Sequence, residues 1–118
     1  MHGLVILDDQ DQVIRPAILW NDGRTTKETA YLNEVIGKET LSKYTANIAF
    51  TGFTAPKILW VKENEPENFA RIAKIYAAED YLAYRLSGVH CTDVSDASGM
   101  LLFDVKIAVG RRKCLTSA

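Results

Sequence analysis

At 118 residues, 47% hydrophobic and 25% charged, the chain has the make-up of one globular domain and is too short for two. A formal net charge of -1 supplies no basic field for nucleic acid and no polybasic segment for an anionic membrane surface. There is no apolar run near the ~18 residues of a membrane span and no signal-peptide pattern at the amino terminus. Two cysteines, Cys91 and Cys114, are too few for a metal or disulfide framework, so free thiols in a reducing, cytoplasmic setting are expected.

Residues 4–7, Leu-Val-Ile-Leu, read as a short buried strand that begins three residues from the terminus. Five polar residues, 8–12, suit a hairpin loop in which Asp side chains bond nearby amides. Residues 17–20 resume an apolar strand after Pro16, which belongs at a strand start or an edge because it cannot donate to a ladder. An antiparallel hairpin is expected.

Thr25 or Thr26 is placed to cap a helix through residue 36, with Tyr31/Val35 and Leu32/Ile36 as apolar pairs four apart and Gly37 as its stop. A short helix over 38–44 should turn Leu41 and Tyr44 inward, and residues 45–53 should form a loop. The clearest helix runs from Thr54 to Asn64, with Pro56 in its first turn. A short helix from Pro66, a strand at 73–77 and a helix from Glu79 closed by Ser87-Gly88 follow. Residues 91–99 are polar or small enough for a loop, and 100–105 are apolar enough to be buried. The pattern is α/β, with hairpin strands and several helices.

Generic motif searches return nothing: no phosphate-binding glycine loop, no nucleophile elbow, and no histidine pair at metal spacing. What remains is a polar cluster, Asn21, Asp22, Gly23 and Arg24, directly after the 17–20 strand, where α/β proteins collect ligands. Asp22 and Arg24 offer directional hydrogen bonds to a polyol or a carboxylate. A helix-opening turn capped by Asn21 or Asp22, with Arg24 solvated, accounts for the same residues. His2 could bond a hydroxyl or be a terminal surface histidine. Asp93 and Asp96 could be paired carboxylates or satisfy backbone amides in a tight loop. Trp20, Trp60, Tyr81 and Tyr84 read most simply as packing aromatics.

Taken in order, Met1-His2-Gly3, the 15–24 segment, the 51–57 segment, Trp60-Val61, Glu65-Pro66-Glu67, Asp80-Tyr81-Leu82, Leu86-Ser87-Gly88 and the 92–99 segment resemble the amino-terminal domain of the FGGY-type sugar kinases, xylulose kinases above all. The resemblance covers residues 1 to about 106; residues 107–118 depart from it and form a divergent tail. It implies part of an actin-like, ribonuclease-H-like ATPase domain and an ATP- and Mg²⁺-dependent kinase that phosphorylates D-xylulose at O5. On that resemblance Met1, His2, Trp20, Asn21, Asp22 and Arg24 line or brace the pentulose site. Val94, at about the position of a tyrosine in glycerol kinases, favours a longer ketose.

The family's Asp-x-Gly-Thr turn, its catalytic Asp and its ATP-binding domain have no counterpart in these 118 residues. A truncated or frame-shifted gene, giving a fragment inactive alone, is therefore the expectation. The alternative is a non-catalytic module that binds a polyol or a partner. Without the family's first strands the hairpin should expose a sheet edge, so poor monomer stability and homo-oligomerisation are expected.

Overall fold

The structure, a computed structural model, describes residues 1–104 and 109–110. The central strand is β1 (Val5–Leu7), and it pairs antiparallel with β2 (Lys74–Tyr76) in the register Val5↔Tyr76, Ile6↔Ile75, Leu7↔Lys74. On its other edge β1 meets the returning hairpin arm only at two bridges, Leu7↔Val13 and Leu4↔Ile18. Between them three steps on one side face five on the other (7 − 4 against 18 − 13), so the arm bulges around Arg15 and Pro16, where a donor is missing. The hairpin is real, but its second arm is not the regular 17–20 strand expected. Its loop closes as expected: Asp8 Oδ1 accepts the amides of Gln10 and Gln12, both at 2.9 Å.

Successive side chains of β1 point to opposite faces, and both faces are covered. Leu4 and Ile6 pack with Ile18 and Val61, flanked by Ile58, Trp60, Phe69 and Ile72. Val5 and Leu7 pack with Tyr76, flanked by Tyr81 and Tyr84. That two-sided burial is why the strand reads as an unbroken apolar run rather than an alternation.

Helices α1 (Thr26–Tyr31), α2 (Lys38–Thr45), α3 (Thr54–Asn64), α4 (Pro66–Ala70), α5 (Ala78–Ser87) and the single turn α6 (Val94–Ala97) supply the layers. A last hairpin pairs β3 (Phe103–Asp104) with β4 (Val109–Gly110). Helix α3 is the hinge of the packing, giving Val61 to the strand layer and Ala55 and Leu59 to a cluster with Leu32, Leu41, Ala49 and Leu101.

Three expectations need correction. The helix over 25–36 is α-helical only to Tyr31; Leu32–Gly37 is a π-helical turn, and Gly37 (φ +94) joins it directly to α2. The change falls at Asn33, whose amide bonds both ways with the Ala49 backbone at 2.9 Å and anchors the following loop. Thr25 does not cap α1 through its side chain: it is fully buried, and its hydroxyl donates to the Thr51 carbonyl at 3.2 Å. Of the two apolar pairs, Leu32/Ile36 faces the core while Tyr31 and Val35 are exposed.

Helices α2 to α5 fall where the sequence put them, with Gly88 (φ +75) capping α5 in the left-handed region, whereas the loop expected over 91–99 contains the single turn α6. β1 has neighbours on both sides, so among the described residues the sheet's edges lie at β2 and along the outer side of the hairpin arm. Among the described residues no helix is long and apolar enough to cross a membrane. Cys91 is a free, exposed thiol; Cys114, the boundary expected at residue 106 and most of the 107–118 tail lie outside the described residues.

Candidate functional site

The Leu4↔Ile18 bridge brings the start of the chain beside the end of the 17–20 segment, and the polar residues gather where the two leave the sheet. His2 is the most constrained of them. Its φ of 48 lies in the left-handed region, where a residue with a Cβ is strained by about 1–2 kcal/mol. Such strain persists only where the surroundings over-determine it.

Those surroundings come from three places. The His2 carbonyl accepts from Lys57 Nζ at 3.0 Å and from Thr54 Oγ1 at 3.2 Å. Its backbone N–H donates to Asp96 Oδ1 at 3.1 Å. Its ring sits edge-on to Phe53, centroids 5.3 Å apart, with Nδ1 3.1 Å from Asp96 Oδ1. Beneath the ring lies Gly99, where a Cβ would be 2.0 Å from the His2 Cε1 atom. The His2 side chain is 17% exposed, which removes the reading of a loose surface histidine.

Lys57 is the residue sequence reasoning missed. It is fully buried on α3, and Nζ donates to the carbonyls of His2, Gly52 and Phe53. Three N–H donors meet three carbonyls, the condition under which an ammonium is tolerated in an interior. Burial pulls its pKa down to about 8, and the nearby Asp22 carboxylate partly offsets this. The signal was in the sequence: Thr54, Lys57 and Val61 share one buried helix face. The 51–53 loop in turn presses on the hairpin arm, since a Cβ on Gly52 would meet the Trp20 carbonyl oxygen at 2.9 Å.

On the hairpin side, Asp22 and Arg24 engage each other. Arg24 Nε and Nη2 donate to Asp22 Oδ1 and Oδ2 at 2.9 and 2.7 Å, and the Arg24 amide adds a bond at 3.0 Å. These bonds hold the Asp22 carboxyl below the usual carboxylate range. The Arg24 guanidinium lies 4.8 Å from the Trp60 ring centroid, so it is not simply solvated. The arrangement suits bracing the rim more than offering a free carboxylate.

Asn21 and Met1 are exposed, and so is Trp20 at 63%, against the reading of a core aromatic; Trp60 is the partly buried one. Asp93 and Asp96 are not a working pair. Asp93 Oδ2 accepts the Asp96 amide at 3.1 Å and caps α6, while Asp96, 3% exposed, faces His2. The side chain of Val94 lies outside the described residues. An apolar depression of about 600 Å³, lined by Ile75, Tyr76, Ala97, Met100 and Leu102 among others, contains none of the expected site residues.

His2 is thus held from α3, from Phe53 and from the α6 turn, with the Asp22–Arg24 pair on the hairpin side. Residues 1–109 fit the N-terminal domain of the FGGY family of carbohydrate kinases, and the chain belongs to that family. Its fold is accordingly part of the actin-like ATPase domain of those kinases.

The xylulose kinase of Lactococcus lactis is 49% identical over 106 residues, covering 90% of this chain and 21% of that protein. The xylulose kinase of Escherichia coli K12 is 46% identical over 105 residues, covering 89% and 21%. The crystal structure of xylulose kinase from Bifidobacterium adolescentis superposes with a TM-score of 0.94 at 33% identity, over 99% of this chain and 29% of that one. The chain thus spans about a fifth of the length of the curated relatives it matches.

Proposed function

We propose that this chain forms part of the sugar side of an ATP-dependent pentulose kinase that phosphorylates D-xylulose at O5, working in the cytoplasm. Residues 1–106 carry that part, and 107–118 stand outside it. The observation that carries the reading is His2, held in a strained backbone state with its ring fixed between Phe53, Asp96 and Gly99. An immobilised imidazole suits a hydroxyl, because its bond costs little further ordering. Met1 and the exposed face of Trp20 pack on the sugar carbons, Asn21 adds an amide, and Asp22 with Arg24 holds the opposite rim in shape.

Phosphoryl transfer requires an aligned hydroxyl, a base and metal-bound phosphates together. The chain supplies the first of these, while ATP, Mg²⁺ and the catalytic base belong to the rest of the kinase architecture. Among the described residues no three His, Cys, Asp or Glu side chains converge as a metal-ligand set.

Two assays test the reading. Calorimetric titration with D-xylulose should give saturable one-to-one binding, weaker for glycerol. Coupled ATP turnover with D-xylulose should stay at the no-protein rate. Capture of a protein partner with neither ligand bound would favour a non-catalytic module, and a chain that binds nothing would count against both readings. Turnover well above the blank would remove the claim that this chain does no chemistry alone.

A further inference from the structure

Three facts about the His2 ring have a joint consequence. Nδ1 lies 3.1 Å from Asp96 Oδ1, and that same oxygen accepts the His2 backbone N–H at 3.1 Å. Asp96 is 3% exposed, and its second oxygen, Oδ2, is buried with no hydrogen-bond partner among the described residues. Gly99 lies against one face of the ring and Phe53 packs edge-to-face with it, which restrains its rotation.

A carboxylate oxygen this close to Nδ1 in a water-poor pocket leaves one arrangement favourable. With a lone pair on Nδ1, two electron-rich atoms would face each other at contact distance, and the low local dielectric would magnify the repulsion. With the proton on Nδ1 the contact becomes attractive, although the N–H does not point straight along it, so the gain is electrostatic more than an aligned hydrogen bond. The tautomer of a histidine is set by what its other nitrogen faces. Asp93 is not the agent, since its Oδ2 is engaged by the Asp96 amide.

We infer that Asp96 is the positioning residue of the His2 ring: it holds the neutral imidazole with its proton on Nδ1, so that the Nε2 lone pair is the atom offered to a ligand hydroxyl. This rests on the reading of His2 as a sugar-facing residue and sharpens it. An Nε2 acceptor selects a ligand that donates a proton at that point and disfavours one that presents only an acceptor there, such as a keto analogue, or no polar group, such as a deoxy analogue. Asp96 itself touches no ligand. Its effect runs through the ring.

The test is multiple-bond proton–nitrogen correlation NMR on the nitrogen-15-labelled chain, read on the neutral ring. The wild type should show His2 in the Nδ1–H form, opposite to the Nε2–H form that a histidine in an unfolded peptide prefers. An Nε2–H signal in the wild type overturns the inference. Asp96→Asn, which keeps shape and removes charge, should lose the single-tautomer signal, while Asp93→Asn should keep it. Should Asp96→Asn leave the chain unfolded, Asp96→Glu is read in its place, and there the Nδ1–H form should weaken to a mixture. A pure Nδ1–H form persisting in either folded Asp96 variant overturns the role of Asp96.

Adding D-xylulose separates this inference from the sugar reading. An Nδ1–H ring that ignores the sugar refutes the sugar reading alone. An Nε2–H ring that responds to it refutes the tautomer assignment alone.

Discussion

Gly99→Ala is the most informative single change. The new methyl would lie 2.0 Å from Cε1, 2.5 Å from Nε2 and 2.6 Å from Nδ1 of His2, closer than real Cβ contacts come, so the ring must leave its slot. Leaving forfeits the edge-to-face pair with Phe53, about 0.5–1.5 kcal/mol. It also moves the ring off the buried Asp96 carboxylate, an electrostatic contact without an aligned hydrogen bond. Because Gly99 does not have a positive φ, alanine also restricts the unfolded chain and returns about 0.4–1 kcal/mol. The net expectation is a loss of roughly 1–3 kcal/mol, the usual range for forcing a methyl into a filled site, read from urea unfolding followed by circular dichroism. A double-mutant cycle isolates the cause. With His2→Ala already in place there is no ring to evict, and Gly99→Ala should then be neutral or slightly stabilising. An equal cost in both backgrounds, or none in the wild type, would show that Gly99 is not the floor of the His2 slot.

Lys57 gives a pH signature. Its folded pKa, about 8, lies below its ordinary 10.5, so in between the unfolded chain binds a proton that the folded chain has released. Unfolding free energy should therefore rise from pH 8 to 10.5, by roughly 3 kcal/mol at about 1.4 kcal/mol per pH unit, relative to a Lys57→Met reference. Parallel pH profiles for the two chains would contradict this burial. Arg24→Lys loses both the fork to Asp22 and the stack on Trp60; the pair is part-exposed, so stability should fall by no more than about 1 kcal/mol. The D-xylulose titration should weaken with it, and an unchanged titration would argue that the rim needs no brace. Leu82 and Leu86, 61% and 89% exposed and one turn apart on α5, together with the β2 edge, should drive self-association. Size-exclusion with light scattering should show species larger than a monomer, reduced by Leu82→Gln with Leu86→Gln. A monodisperse monomer with a sharp two-state melt would refute the expectation.

How much of this was legible depended on how local each feature is. The Leu-Val-Ile-Leu strand declared itself because both of its faces are buried, and α3 and α5 because Pro56, Ser87 and Gly88 sit at positions with fixed backbone meaning. The π-helical turn at Leu32–Gly37 was invisible: its residues carry ordinary helical periodicity, and its companion contact, Asn33 with Ala49, spans 16 positions. Trp20 reads as core from composition, yet it lies beyond the last bridge of the hairpin, where no second layer covers it. The polar cluster at residues 21–24 was legible as the end of an apolar run, although that run makes only the Ile18 bridge and no regular strand. The grip on His2 was not, because Asp96 stands 94 positions away and Lys57 55 away. The residues alone left His2 open between a hydroxyl-binding and a surface histidine, the family resemblance favoured the first, and only the packing shows what holds it.

The central claim is that His2, on this chain, faces a pentulose. Intermolecular nuclear Overhauser measurements between D-xylulose and the selectively labelled chain address it directly. The account predicts contacts from sugar protons to the His2 ring and the Met1 methyl, lost in His2→Ala and in Gly99→Ala. Sugar contacts confined to the depression lined by Ile75 and Met100, or none at saturating D-xylulose, would contradict it.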